Sequence, residues 1–146
     1  MTTMELQEID RLHGSDTAVL QTLAAYETVE TWPADKMLYA EGESPAGVYV
    51  LLSGEVDLVY ASRAGATKPL RIASSGQILG LSCIVSARPH DCSATTRTRV
   101  ITGFIPQARF LKLLDENPPL WFSVLQMISS EINSCYDCMR TLTATR

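Results

Sequence analysis

From residue 4 to 26 the apolar positions Leu6, Ile9, Leu12, Val19, Leu20 and Leu23 recur near helical spacing, with a polar break at His13-Gly14-Ser15-Asp16. Steps of three and four put such residues on one helix face, and Ser15 or Asp16 suits the cap of a second helix. Two short helices are therefore expected over residues 4–25. From Tyr26 to about Ile105 the pattern changes to short apolar runs separated by Gly, Pro, Ser and Asp, which predicts strands over residues 26–106. Gly42, Pro45 and Gly47 each penalise helix and predict a turn. Val48-Tyr49-Val50-Leu51 then reads as a buried strand, and Ser53-Gly54 reverses the chain before Val56-Asp57-Leu58-Val59-Tyr60. The two runs are read together as a β-hairpin. Residues 61–67 form a polar tip, and Leu70-Arg71-Ile72-Ala73 begins another strand before the Ser74-Ser75-Gly76 turn.

After Pro106 the spacing predicts a helix over 107–116 with Phe110, Leu113 and Leu114 inward, closed by Asn117-Pro118-Pro119. A last helix follows. Along it Trp121, Leu125, Ile128, Ile132, Cys135, Met139 and Leu142 alternate in steps of four and three, a heptad seam. Its first turns are expected to pack on the strands, and residues 128–142 against a partner helix. The expected architecture is mainly β with flanking helices, in one domain over residues 1–146, with 107–146 helical.

The 146 residues suffice for one core, and 46% hydrophobic with 19% charged residues describes a globular chain. No apolar run approaches the roughly twenty residues a membrane helix needs. The start, MTTMELQEID, lacks the basic and apolar regions of a signal peptide. A cytoplasmic protein with no membrane partner is expected. Net charge −4 and pI near 5.1 argue against direct nucleic-acid binding, which rests on clustered Lys and Arg. Arg97 and Arg99 alternate with Thr on an expected strand and read as a solvated face.

The segment LYAEGESPAGVYVLLSGEV, from Leu38, resembles the cyclic-nucleotide-binding β-roll of the Crp/Fnr (catabolite activator protein) superfamily, with its aliphatic pair, Gly-acidic dipeptide, four apolar residues and Gly. Tyr39 replaces an aliphatic residue of that pattern and Pro45 a small one. The resemblance implies a jelly-roll-like double-stranded β-helix with N-terminal helices and a C-terminal dimer helix, hence a homodimer. In such regulators a winged helix-turn-helix that reads DNA follows this helix. The sequence given runs to Arg146, so a stand-alone sensory or regulatory module is expected and DNA binding is not carried over.

The resemblance also implies a phosphate-binding cassette after Gly-x-Leu-Gly, here Gly76 to Gly80 and onward through Leu81, Ser82, Cys83, Arg88, His90, Asp91 and Cys92. Its general physics is that helix N-termini present unsatisfied N–H donors to anions. Leu81 stands where nucleotide binders have a glutamate for the ribose 2′-hydroxyl, and His90 where they have the phosphate arginine. Charged hydrogen bonds contribute about 1.5–3 kcal/mol each. Losing two weakens cyclic-nucleotide binding by roughly 10²- to 10⁴-fold. Arg88 is a nearby substitute cation. Cys135 and Tyr136 fall where relatives reach the nucleotide base from the helix. The expected ligand is accordingly a small effector, a cyclic nucleotide or another small anion, but not tightly bound cAMP.

Two other readings stay open: a ligand-free dimerising scaffold whose pocket is filled by Leu81 and its neighbours, and a cysteine-based redox or metal sensor. The four cysteines show no closed zinc spacing, though Cys135 and Cys138 share a helix face. No cofactor and no metal is expected. His90-Asp91-Cys92 offers nucleophile, base and acid in sequence, but strand neighbours point apart, so no enzyme is expected.

Overall fold

The computed structural model describes residues 18–130. Helical residues 18–24 (α1) lead into eight strands, β1 Thr28–Trp32, β2 Met37–Tyr39, β3 Gly47–Ser53, β4 Val56–Ala61, β5 Thr67–Ala73, β6 Ile78–Leu79, β7 Ser93–Thr96 and β8 Val100–Pro106. A short helix α2, Leu81–Val85, sits between β6 and β7, and helices α3, Gln107–Glu116, and α4, residues 118–130, close the described chain. The strands form two four-stranded antiparallel sheets, ordered β1-β8-β3-β6 and β2-β7-β4-β5. The expected mainly β architecture with flanking helices is the one found.

At the centre of the first sheet β3 and β8 are covered on both faces, while the edge strand β1 is largely exposed. Val48 and Val50 of β3 and Ile105 of β8 pack with Val19, Leu23, Phe110, Leu113, Leu120 and Val124 from the helices. The opposite face, with Leu51 and Val100, packs against Val56, Leu58, Ala73 and Ala94 of the second sheet. A strand lined on both sides needs a continuous apolar run rather than alternation, which is why Val48-Tyr49-Val50-Leu51 looks as it does. The second sheet covers only one side. There β4 alternates, with Val56 and Leu58 inward and Asp57 facing out, where Arg97 approaches its carboxylate at 3.6 Å. That exposed pair contributes little stability.

Two expectations are corrected. β3 and β4 are not a paired hairpin: β3 hydrogen-bonds to β6 and β8, and β4 to β5 and β7. The Ser53-Gly54 reversal is instead the corner at which the chain passes from one sheet to the other. Arg97 and Arg99 lie in the turn between β7 and β8 rather than on a strand. The helix expected at 107–116 is found there, with Phe110, Leu113 and Leu114 buried. Of the last helix, Leu120 and Val124 pack on the core, while Ile132, Cys135, Tyr136, Cys138, Met139 and Leu142 lie outside the described residues, as do His13 and the other residues before 18, where the first helix was expected.

Gly54 makes the corner possible. Its φ of +93° is in the left-handed region, and a Cβ there would run into the Arg99 carbonyl and the Val100 side chain. Gly65 at the hairpin tip has a similar φ of +82° but open space around it. Gly65→Ala should therefore cost only the conformational strain, about 1–2 kcal/mol, and Gly54→Ala clearly more. Urea unfolding of the two variants compares them, and equal losses would contradict this account of the corner.

Candidate functional site

Between the two cores, under α4, lies a cavity of about 580 Å³. One wall is the turn into α2. β6 ends at Gly80, whose left-handed φ of 84° swings the chain so that Leu81 opens the helix. Leu81, Cys83 and Ile84 are then buried, and α2 ends as Arg88 donates its main-chain N–H to the Cys83 carbonyl at 3.0 Å. The segment that follows is clamped by the Gly42-Glu43 turn: Gly42 N–H donates to the His90 carbonyl at 2.8 Å, and His90 N–H to the Glu43 carbonyl at 3.0 Å. The glycine-acidic dipeptide thus fixes the far side of the cavity through main-chain bonds.

Gly80, Leu81, Ser82, Cys83, Arg88, His90, Asp91 and Cys92, singled out from the sequence, all line this one cavity, and Ile128 reaches it from α4. Cys135 and Tyr136 lie outside the described residues. His90 and Cys92 are buried while Asp91 is exposed, an alternation expected of neighbours on an extended segment.

Two of these side chains are held away from polar work. Leu81 is 1% exposed and belongs to the core cluster of the helices. His90 is 4% exposed, its ring stacked on Tyr39 at 3.7 Å between centroids and 15° between planes. On its other side the ring lies so near Gly80 that a Cβ there would sit 3.1 Å from Cε1. The imidazole is a packed plate rather than a reaching cation.

The family model of the cyclic nucleotide-binding domain matches residues 29–117. The chain belongs to this family. Over 112 residues it is 24% identical to the potassium channel AKT1 of Oryza sativa, covering 77% of this chain and 12% of the channel. Its fold is that of the catabolite activator protein of Thermus thermophilus, at TM-score 0.75 and 15% identity over 86% of this chain and 59% of that one. The c-di-GMP responsive global regulator CLP of Xanthomonas campestris is as similar, at TM-score 0.75 and 15% identity over 87% of this chain and 64% of that one. The chain spans about an eighth of the channel and less than two thirds of either regulator.

Among the cavity residues of this cyclic nucleotide-binding domain that the sequence did not single out, Arg71 carries a charge. Arg71 on β5 sits opposite Leu58, and Ala73 opposite Val56, so Arg71 shares the inward face of the second sheet. Its Nη1 donates to Gln77 Oε1 at 3.2 Å, and the same oxygen accepts the Ser74 N–H at 3.0 Å. Arg88 is tethered at the other side, Nε donating to Ser86 Oγ at 3.1 Å. Nothing in the run Leu70-Arg71-Ile72-Ala73 marks Arg71 as inward: Leu70 lines the cavity as well, while Ile72 is exposed.

The thiols are quiet. Burial pushes Cys92 up to about 12, helped by the Asp91 carboxylate. Burial also raises Cys83, against the Asp91 main-chain N–H that hydrogen-bonds to its sulfur. Both stay protonated at neutral pH, which makes them poor nucleophiles. Among the described residues no three His, Cys, Asp or Glu side chains are placed to hold a metal ion, and no helix is long and apolar enough to cross a membrane.

Burial lowers the His90 pKa from its ordinary 6.5, opposed by Glu43 and Asp91. The unfolded chain then binds a proton at this site more readily than the folded one, so His90 contributes stability that is present above pH 6.5 and is lost as pH falls below it toward the folded value. Thermal unfolding between pH 7 and 5 should show the melting temperature falling with acid, and His90→Gln should flatten that fall. An unchanged slope in the variant would remove His90 as its cause.

Proposed function

We propose that this domain is a sensory or regulatory module that binds a small effector in the cavity under α4, without being a tight cAMP receptor. The observation that carries this is the fate of two positions: Leu81 is sealed into the core, and His90 is stacked flat on Tyr39. Neither can supply a carboxylate to a ribose or a fixed charge to a cyclic phosphate. The cavity itself is of ligand size, within the roughly 300–1,000 Å³ usual for such sites. Its function is binding rather than catalysis, since the buried thiols and the stacked imidazole offer no activated nucleophile or base.

Coupling to the rest of the protein runs through α4. Leu125 and Ile128 line the cavity, while Leu125 remains 48% and Phe122 64% exposed. An amphipathic helix with apolar residues on its outer side favours a second copy, in keeping with the seam that continues through Ile128, Ile132, Cys135, Met139 and Leu142. An effector touching α4 acts on the pair of helices only by binding one of their arrangements more tightly than another.

Titration calorimetry with cAMP and cGMP tests the first part. No saturable heat is expected at micromolar nucleotide, and a stoichiometric micromolar affinity for cAMP would overturn the assignment. Sedimentation equilibrium tests the second: the natural chain is expected to be a dimer and Met139→Asp a monomer, whereas a natural chain that sediments as a monomer at micromolar concentration refutes the seam.

A further inference from the structure

The charges around the cavity do not follow from the cassette alone. Two arginines line it, Arg71 from β5 and Arg88 after α2, against one carboxylate, Asp91, among the described lining residues. His90 adds no fixed charge, because burial favours its neutral form. The excess is positive. Arg71 is also the better placed of the two arginines, because its guanidinium is oriented by Gln77, itself fixed to the Ser74 main chain. Burial keeps Tyr39 and Cys92 in their neutral forms, and the nearby Arg71 charge only partly opposes this. The remaining surface is mainly aliphatic, with Leu58, Leu70, Leu81 and Val85 among its walls.

A sugar placed against such walls would give up water for its hydroxyls without finding acceptors, at a cost of roughly 1–3 kcal/mol for each one left unpaired. A hydrocarbon body placed there gains from leaving water. A planar carboxylate fits the guanidinium fork of arginine, which can donate two parallel hydrogen bonds.

Resting on the reading of this cavity as an effector site, we infer that its ligand is an organic anion with an apolar body, whose carboxylate is held by Arg71 on the β5 wall and not by the cassette. The body lies along Leu58, Leu81 and Val85 and reaches α4 at Leu125. Arg88 adds long-range attraction at the mouth. This assigns the cavity's selectivity to the second sheet, on the side opposite the turn that opens α2.

Calorimetry with decanoate, decanol and cAMP on the natural protein, Arg71→Met and Arg71→Lys tests this. Decanoate is expected to bind at least about 10-fold more tightly than decanol, and Arg71→Met to weaken decanoate by roughly 10- to 100-fold while leaving decanol unchanged. Arg71→Lys keeps the charge and should retain part of the preference. Equal binding of decanoate and decanol to the natural protein, or an unaltered decanoate affinity in a folded Arg71→Met, overturns the inference and leaves the effector reading standing. Tighter binding of cAMP than of decanoate overturns it in favour of a nucleotide. If none of the three probes binds, the effector reading fails and the inference falls with it.

Discussion

Everything in this domain is arranged around two neighbouring strands, β3 and β8, that meet an apolar core on each side. β3 and β8 carry apolar side chains to the helices on one side and to the second sheet on the other, so their position is fixed by two cores at once. Displacing either strand would expose apolar surface in both. The rest of the chain is organised as cover: four helical segments on one face, a half-exposed sheet on the other. The turns that join the covers to the central sheet are where the backbone does something unusual, at Gly54 and Gly80 in the left-handed region.

The cavity shows a division of labour between main chain and side chains. Its shape is set by backbone bonds, those of Gly42 and Glu43 to His90 and of Arg88 to Cys83. Such bonds do not depend on the side chains they link, so the frame persists whatever residues line it. Selectivity is then free to change through a few positions. Here Leu81 and His90 have joined the packing, and charge enters through Arg71 and Arg88. The same fold is found at 15% identity in the catabolite activator protein of Thermus thermophilus, so the frame tolerates wide change in its side chains.

Much of this was legible in the chain. The double-sided burial of β3 follows from its unbroken apolar run, α3 from Phe110, Leu113 and Leu114 with the proline pair behind them, and the clustering of residues 80 to 92 from the glycine spacing that marks the cassette. What failed did so for identifiable reasons. Two apolar runs separated by Ser53-Gly54 look alike whether the strands pair or part, because pairing is decided by residues forty or fifty positions away, in β7 and β8. Arg71 was not singled out, because alternation allows two phases and a charged residue turned inward leaves no mark in the hydrophobic pattern. For His90 no sequence pattern reveals that a tyrosine fifty-one residues earlier would lie flat against its ring.

The cavity borders both cores, touching Ile78 and Leu81 of one and Leu58, Leu79 and Cys92 of the other. A hollow at that junction means that the helical layer and the outer sheet adhere only around its margin. The side chains around the hollow lack partners on its side, so the contact between the two layers is thinnest there. Any molecule filling it would touch both halves at once.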